Sequence, residues 1–177
     1  MGDVVRSALA DADLPADALA LELTESVLLD AATSTLSRLS ELRRTGVDIG
    51  IDDFGTGYAS LRYLRDLPIT FLKVDRSFVA GMTEHRQDEI IVQAVIALAT
   101  DLGLGCVVEG VETQAQLDRI TGTGALVQGH LLGRPASVDQ ITALIGRSSY
   151  GWRGTASSDH PQDVDRQRYP DARRGVG

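Results

Sequence analysis

Two adjacent carboxylates, Asp52 and Asp53, lie between a strand-like apolar run and a loop that contains glycine. The run covers residues 47–51, and the loop begins with Gly55 and Gly57. A strand that stops in this way places its acids at its carboxyl end, beside a backbone that can bend. In α/β folds, ligands and metal ions bind at that end of the strands. The pair therefore predicts a site for a metal ion or a charged ligand.

Polar side chains also occur at or near the ends of four other predicted strands. These residues are Glu22, Lys73 with Asp75, Glu109 and Gln128. Carboxylates that share a pocket repel one another, and they stay ionised most easily when a cation is bound. Oxygen ligands without a His or Cys cluster favour Mg²⁺ or Mn²⁺ over zinc. Two adjacent acids can serve two ions, an arrangement that suits in-line phosphoester hydrolysis.

Lys73 and Glu109 have possible roles in such a reaction. Lys73 lies on a predicted strand among apolar neighbours, where an unpaired ammonium would be costly. It could orient the attacking water or neutralise charge that develops on phosphate. Glu109 could accept the proton of that water.

Each of these residues also has a structural interpretation. An Asp-Asp pair before a glycine loop is often turn chemistry and helix capping, and a strand lysine such as Lys73 is often paired with a nearby acid such as Asp75. Glu25 and Glu112 follow strand ends, where capping of the next helix is the default. We interpret His130 as a structural or solvated loop residue. The joint pattern is stronger than any member, because chance seldom places acids at four strand ends.

Composition limits the class of protein. A chain of 177 residues with 43% hydrophobic content fits one globular domain with a proper core. The net charge of −8 argues against a general nucleic-acid-binding surface. The single cysteine, Cys106, excludes an intrachain disulfide and is interpreted as a small buried residue. With no signal peptide and no apolar stretch long enough to span a bilayer, we expect a soluble, cytoplasmic protein.

Strand-like and helical segments alternate along the chain, which implies parallel strands with right-handed crossovers. An open doubly wound sheet and a (β/α) barrel both fit, and the polar residues favour the barrel, because a barrel brings all strand ends around one axis. A complete barrel needs eight strands and about 250 residues, whereas this chain supplies five strands.

The predicted strands cover residues 19–23, 47–51, 71–75, 106–109 and 125–128. The predicted helices cover residues 3–11, 31–44, 61–67, 88–102, 114–120 and a last segment that ends near residue 145.

Five motifs occur in an order that is specific to one family. They are Leu21-Glu22-Leu23-Thr24-Glu25-Ser26, Asp52-Asp53-Phe54-Gly55-Thr56-Gly57-Tyr58, Leu72-Lys73-Val74-Asp75-Arg76-Ser77-Phe78, Glu109-Gly110-Val111-Glu112-Thr113 and Gln128-Gly129-His130. Together they closely resemble the EAL domain, the bacterial cyclic-di-GMP phosphodiesterase, over about residues 3–146. The resemblance implies a TIM-like barrel of parallel strands, of which about five of eight strand–helix units are present here. It also implies metal-dependent hydrolysis of cyclic di-GMP to linear pGpG in bacterial second-messenger signalling.

The resemblance implies Mg²⁺ or Mn²⁺ as the cofactor, with two ions in the site. By motif, the residues that match the family's metal ligands are Glu22, Asp52 and Asp53. The partners that it implies are cyclic di-GMP and, by way of the glycine loop, a second copy of the chain in a homodimer.

Further roles follow from the same resemblance. Lys73 and Glu109 match the residues that hold and activate the attacking water, and Asp75 matches an acid beside them. Glu112 matches the glutamate that anchors the glycine loop. Gln128 matches a polar residue of the active site, which we expect to bind substrate.

The name-giving Glu-Ala-Leu motif of the family, and a further strand with a metal-binding Asn, have no counterpart in this sequence. We therefore expect residues 1–146 to be the C-terminal portion of an EAL domain, with an open barrel and exposed strand edges. Residues 147–177 are rich in Ser, Gly, Asp, Arg and Pro, and we interpret them as a disordered tail. The alternative function is a catalytically inactive remnant that acts as a nucleotide- or protein-binding module.

Overall fold

The computed structural model describes residues 2–29, 33–56 and 64–146. The chain divides into two units, Met1–Arg134 and Pro135–Gly177. The first unit contains a parallel sheet and its helices, and the described part of the second contains one helix, α7 (Val138–Gly146). The disordered tail expected over residues 147–177, and most of the helix predicted over residues 61–67, lie outside the described residues.

Strands and helices alternate through the first unit, as the hydrophobic pattern predicts. The strands are β1 (Ala20–Thr24), β2 (Asp48–Phe54), β3 (Phe71–Val74), β4 (Gly105–Glu109) and β5 (Leu126–Gln128). The helices are α1 (Gly2–Asp11), α2 (Glu25–Leu29), α3 (Thr33–Arg44), α4 (Arg76–Gly81), α5 (Arg86–Asp101) and α6 (Gln114–Ile120), with a 3₁₀ turn at Ala16–Ala18.

Two short helices directly after strands, α2 and α4, are absent from the sequence prediction. Asp75 adopts an extended conformation at the start of α4, and its side chain accepts a hydrogen bond of 2.9 Å from the backbone amide of Ser77. This is N-capping, which satisfies a backbone donor that has no partner inside the helix. Asp75 therefore begins a helix, and β3 ends one residue earlier, at Val74.

The five strands are all parallel and lie side by side in chain order, β1-β2-β3-β4-β5. A doubly wound sheet reverses its strand order at a switch point, whereas the strands of a barrel succeed one another in one direction. The order therefore confirms the prediction of a barrel-type sheet. Within the described residues β1 and β5 are not paired with each other, so the sheet is open, as expected of an incomplete barrel.

The core lies along the two central strands and the helices that cover them. On β2 and β3 the residues Ile49, Ile51, Leu72 and Val74 are buried. The apolar face of α5 is buried too, at Val92, Val95, Ile96 and Ala99, so this helix packs into the core of its own chain. None of the helices in the described ranges has the length and apolar character needed to cross a membrane.

Leucines at the centre and at the edge of the sheet allow a matched test of this packing. Leu72 on β3 has no exposed surface, whereas Leu126 on β5 is 66% exposed. We expect Leu72→Ala to lower the free energy of unfolding by about 2–5 kcal/mol, because it removes buried surface and leaves a cavity. Leu126→Ala should change it by about 0.5 kcal/mol or less. Urea unfolding followed by circular dichroism measures both, and equal losses would contradict the described core.

Candidate functional site

A β-bulge in β2 brings the two adjacent aspartates to the same place. Between the pairs Ile51↔Leu72 and Phe54↔Val74, β2 advances by one residue more than β3. Asp53 takes the left-handed conformation at this point, with φ of 55°, and its amide donates to Asp52 Oδ1 at 3.1 Å. Neighbouring residues of a regular strand point to opposite faces, whereas a bulge turns a side chain to a new direction. The bulge therefore allows both carboxylates to serve one site.

The ammonium of Lys73 lies among carboxylates from three other strands. Its Nζ is 2.6 Å from Oε2 of Glu22 on β1, 3.1 Å from Oδ1 of Asp52 on β2, and 2.6 Å from Oε1 of Glu109 on β4. Only 6% of Lys73 is exposed. Burial by itself lowers the pKa of Lys73, but the hydrogen bonds to Glu109, Glu22 and Asp52 raise that pKa well above its usual value. The contacts of Lys73 therefore favour its cationic form at the centre of the site.

Asp53 and Asp75 form a second pair in the site. Burial, a hydrogen bond to Asp75 and the charge of Asp52 raise the pKa of Asp53. Burial of Asp75 acts in the same direction, but hydrogen bonds from the side chain and backbone of Ser77 outweigh it, so that the pKa of Asp75 is lowered. Asp75, which caps α4, is thus the acid of the pair that stays ionised more easily.

Three carboxylates are close enough together to hold a metal ion. Oxygen atoms of Asp52, Asp53 and Glu109 all lie within 4.8 Å of one another, and each of the three residues is half-buried. A set of carboxylate oxygens alone suits hard divalent cations such as Mg²⁺, Mn²⁺ and Ca²⁺. The motif suggests Glu22 as the third ligand, but Glu22 is paired with Lys73. The third carboxylate that lies close to Asp52 and Asp53 is that of Glu109. The donor set therefore fits the cations that the sequence predicts.

The glycine loop contacts Glu25, for which the sequence predicts only a role as a helix cap. The amide of Gly55, with φ of 100°, donates to Glu25 Oε2 at 3.4 Å, and Glu25 is only 5% exposed. Glu112, the residue expected to anchor this loop, is exposed, and its Oε1 lies 3.7 Å from Nδ1 of His130. In the described part of the loop the anchor contact thus belongs to Glu25. The position of Glu25 just after β1, beside the end of β2, was the available signal.

The remaining predicted residues lie at the same end of the sheet or in its interior. Gln128 is the last residue of β5 and lies opposite Glu109 in the β4–β5 ladder, with an exposed side chain. Cys106 is buried, as predicted, and burial raises its pKa to about 11. A thiol with such a pKa stays protonated at neutral pH and is a poor nucleophile.

The fold and the site together define an α/β barrel-type domain with a cluster of acidic residues that could bind a metal ion near the carboxyl ends of its strands. The chain belongs to the EAL domain family, whose model matches residues 1–135. It is 49% identical over 144 residues to the cyclic di-GMP phosphodiesterase NbdA of Pseudomonas aeruginosa, a match that covers 81% of this chain and 18% of NbdA. It is 45% identical over 144 residues to the bifunctional diguanylate cyclase/cyclic di-GMP phosphodiesterase MucR of the same organism, covering 81% of this chain and 21% of MucR.

Solved structures of EAL proteins have the same architecture. The phosphodiesterase of PaMucR in complex with c-di-GMP matches with a TM-score of 0.74 and 46% identity, over 78% of this chain and 57% of that chain. The manganese/cy-diGMP complex of BlrP1 from Klebsiella pneumoniae matches with a TM-score of 0.69 and 34% identity, over 76% of this chain and 34% of that chain. A calcium/cy-diGMP complex of BlrP1 matches as well. The chain spans about a fifth of the length of the curated relatives named above.

The dependence of the site on its cation can be tested at Lys73. Lys73→Met removes the ammonium and leaves Glu22, Asp52 and Glu109 facing one another. Because these carboxylates keep some contact with water, we expect the free energy of unfolding to fall by about 1–3 kcal/mol, less than for a fully buried pair. Millimolar Mn²⁺ should restore part of this loss, since a bound cation replaces the missing charge. Chemical unfolding with and without Mn²⁺ measures both effects.

The control is Arg86→Met, which removes one positive charge at an exposed position and should change stability by about 0.5 kcal/mol or less.

The contribution of Lys73 to stability also has a predictable pH dependence. The folded-state pKa of Lys73 lies above its usual value of 10.5, so the contribution of Lys73 to the free energy of unfolding is complete below pH 10.5 and is lost only as the pH rises through the folded-state value. A stability difference between wild type and Lys73→Met that disappears already at pH 8 would contradict this description.

Proposed function

We propose that this chain forms part of a metal-dependent phosphodiesterase that hydrolyses cyclic di-GMP to linear pGpG. The observation that carries the proposal is the assembly at the strand ends, in which one buried ammonium and carboxylates from β1, β2 and β4 meet. The names of the relatives NbdA and MucR support the substrate, and the c-di-GMP complexes of MucR and BlrP1 support binding at this type of domain.

Mg²⁺ or Mn²⁺ is the proposed cofactor, with two ions in the working site. Asp52, Asp53 and Glu109 would hold the metal, because their oxygens are already grouped within 4.8 Å, and Glu22 is proposed as a further ligand. When bound, the ions withdraw electron density from the phosphodiester and stabilise the charge on the attacking and leaving oxygens.

The protein's own groups have separate tasks in this proposal. Glu109 accepts a proton from the attacking water, and its carboxylate is held for that task by the hydrogen bond from Lys73. Hydrogen bonds to Glu109, Glu22 and Asp52 raise the pKa of Lys73, which favours its protonated form over a role as the base. Lys73 instead supplies positive charge near the phosphate, at a position that its three carboxylate partners fix. Asp75 orients Asp53 through their shared hydrogen bond.

Two further residues complete the proposed site. Gln128 lies opposite Glu109 at the end of the neighbouring strand, where its exposed amide can donate to and accept from a bound nucleotide. Glu25 holds the amide of Gly55 and so fixes the start of the loop that follows Asp53. We propose this loop-holding role for Glu25, and the anchoring role of Glu112 stays a prediction.

The substitution Asp52→Asn tests the proposal directly. It keeps the shape of the side chain but removes one negative charge from the metal set and turns the ion pair with Lys73 into a neutral hydrogen bond. We expect hydrolysis of cyclic di-GMP to fall by about 100-fold or more, because the metal and the reacting groups lose their alignment. Chromatography of cyclic di-GMP and pGpG after incubation with Mn²⁺ measures the turnover.

Asp48→Asn is the matched control, since Asp48 lies at the opposite, amino end of the same strand. It should leave turnover within about twofold of wild type, because the charge that it removes is far from the carboxyl-end site. Circular dichroism should show folded protein for both variants. Turnover by Asp52→Asn that equals the Asp48→Asn value would refute the assignment of the site.

A second candidate is a module that binds cyclic di-GMP without hydrolysing it. The observation that favours it is the open sheet, whose strands β1 and β5 are not paired with each other within the described residues. Equilibrium dialysis with cyclic di-GMP and Mn²⁺ separates the two functions. Retention of intact cyclic di-GMP by folded protein, with no pGpG formed, supports the binding module, whereas formation of pGpG supports the phosphodiesterase.

A further inference from the structure

Gln116 of α6 is a buried polar residue with more hydrogen bonds than its place in the helix requires. Only 5% of it is exposed. Its Oε1 accepts from the amides of Glu112 and Thr113 at 2.8 and 2.9 Å, and its Nε2 donates to the carbonyl oxygen of Val79 at 3.0 Å. The amide of Gln116 in turn donates to Thr113 Oγ1, which completes a capping box. A capping box accounts for the bond to Thr113, but the bonds to Glu112 and Val79 exceed it.

These additional bonds join two segments that carry site residues. Glu112 and Thr113 belong to the loop that leaves β4 directly after Glu109, and Val79 belongs to α4, which leaves β3 directly after Asp75. One buried carboxamide therefore ties the backbone that follows Glu109 to the helix that follows Asp75.

Close packing between the same two segments makes this tie effective. Gly110 has φ of 72°, and a Cβ at this residue would lie 2.6 Å from Cβ and 3.3 Å from Cα of Arg76, the first residue of α4. The loop backbone thus rests directly on the start of the helix, with no space for a side chain between them. On another side α4 reaches the glycine loop, where a Cβ at Gly55 would lie 3.2 Å from the ring of Phe78. The helix α4 consequently contacts the loops that follow both acidic strand ends.

We infer that Gln116 is a positioning residue, which fixes the backbone after Glu109 against α4 and thereby sets the Glu109 carboxylate relative to Lys73 and the two aspartates. The inference rests on the proposed function, because it concerns the same site. The side-chain hydrogen bonds of Gln116 go to the loop and to α4 and not to the metal set or Lys73, so it acts through these two segments. Groups that orient metal ligands from outside the site commonly change metal affinity or activity by about 10–100-fold when they are replaced.

The variant Gln116→Met tests the inference, since methionine has a similar length and removes all three side-chain hydrogen bonds. We expect the dissociation constant for Mn²⁺ alone, measured by titration calorimetry, to rise about tenfold. We expect kcat for cyclic di-GMP to fall by a similar factor, with a smaller change in KM. Both are measured at a temperature at which circular dichroism shows fully folded protein. The control is Gln114→Met, because Gln114 is an exposed residue of the same helix, bonded only at the surface to Asp118, and it should leave both quantities unchanged.

A double variant separates positioning from a general effect on the fold. If Gln116 acts through Glu109, then adding Gln116→Met to Glu109→Gln should change the Mn²⁺ dissociation constant by less than about twofold. A full tenfold change in that background would overturn the inference. So would a folded Gln116→Met with wild-type Mn²⁺ affinity and kcat.

The variant Gln116→Glu covers the case in which Gln116→Met does not fold. Its carboxylate can accept from the two loop amides but cannot donate to the carbonyl of Val79, and we expect a loss in the same direction. If neither variant folds, Gln116 is a folding determinant and the positioning role is wrong. If the wild-type protein binds Mn²⁺ but forms no pGpG, the proposed hydrolysis is wrong, while the Mn²⁺ test of Gln116 still applies. If the wild-type protein binds no Mn²⁺, both the proposed hydrolysis and the positioning role of Gln116 are wrong.

Discussion

The buried ammonium of Lys73 allows acidic side chains from neighbouring strands to share one edge of the sheet. Parallel strands deliver their last residues to the same edge, so a sheet with Glu22, Asp52 and Glu109 at or within two residues of its strand ends concentrates negative charge there. Partial burial of these groups strengthens their mutual repulsion. Lys73 contacts all three and comes from the central strand of the five. In the observed strand order, carboxylates from β1, β2 and β4 all reach the ammonium on β3.

The bulge in β2 is a second local constraint with effects across the site. Asp53 holds a backbone conformation that costs a residue other than glycine about 1–3 kcal/mol. Regular pairing on both sides of the bulge, at Ile51 and Phe54, enforces this conformation. This strained conformation allows two consecutive residues of one strand, Asp52 and Asp53, to join one group of ligands. The same bend starts the turn at Gly55, which Glu25 then holds from the end of β1.

Hydrophobic runs were sufficient to predict where the five strands begin, each within one residue of its observed start. The runs could not predict the partners of Lys73. The nearest acid in the sequence is Asp75, whereas the observed partners include Glu22, which is 51 residues away along the chain and is brought close only by strand order. The position of Glu25 just after β1 was a signal of a role beyond capping, but its contact with Gly55 depends on the pairing of β1 with β2, which the runs do not reveal. The short helix α4 was missed since six residues are too few to show a helical period.

Lys73 is the only lysine of the sequence. Apart from the α-amino group, this chain therefore has a single primary amine. The residue that carries it is buried, since only 6% of Lys73 is exposed. Amine-directed chemistry such as acetylation, reductive methylation or cross-linking consequently has one side-chain target, and that target is surrounded by carboxylates. The raised pKa of Lys73 also keeps its nitrogen without a free electron pair. The side-chain amine of Lys73 is therefore inaccessible while the strand ends remain assembled, and reaction at Lys73 reports their separation.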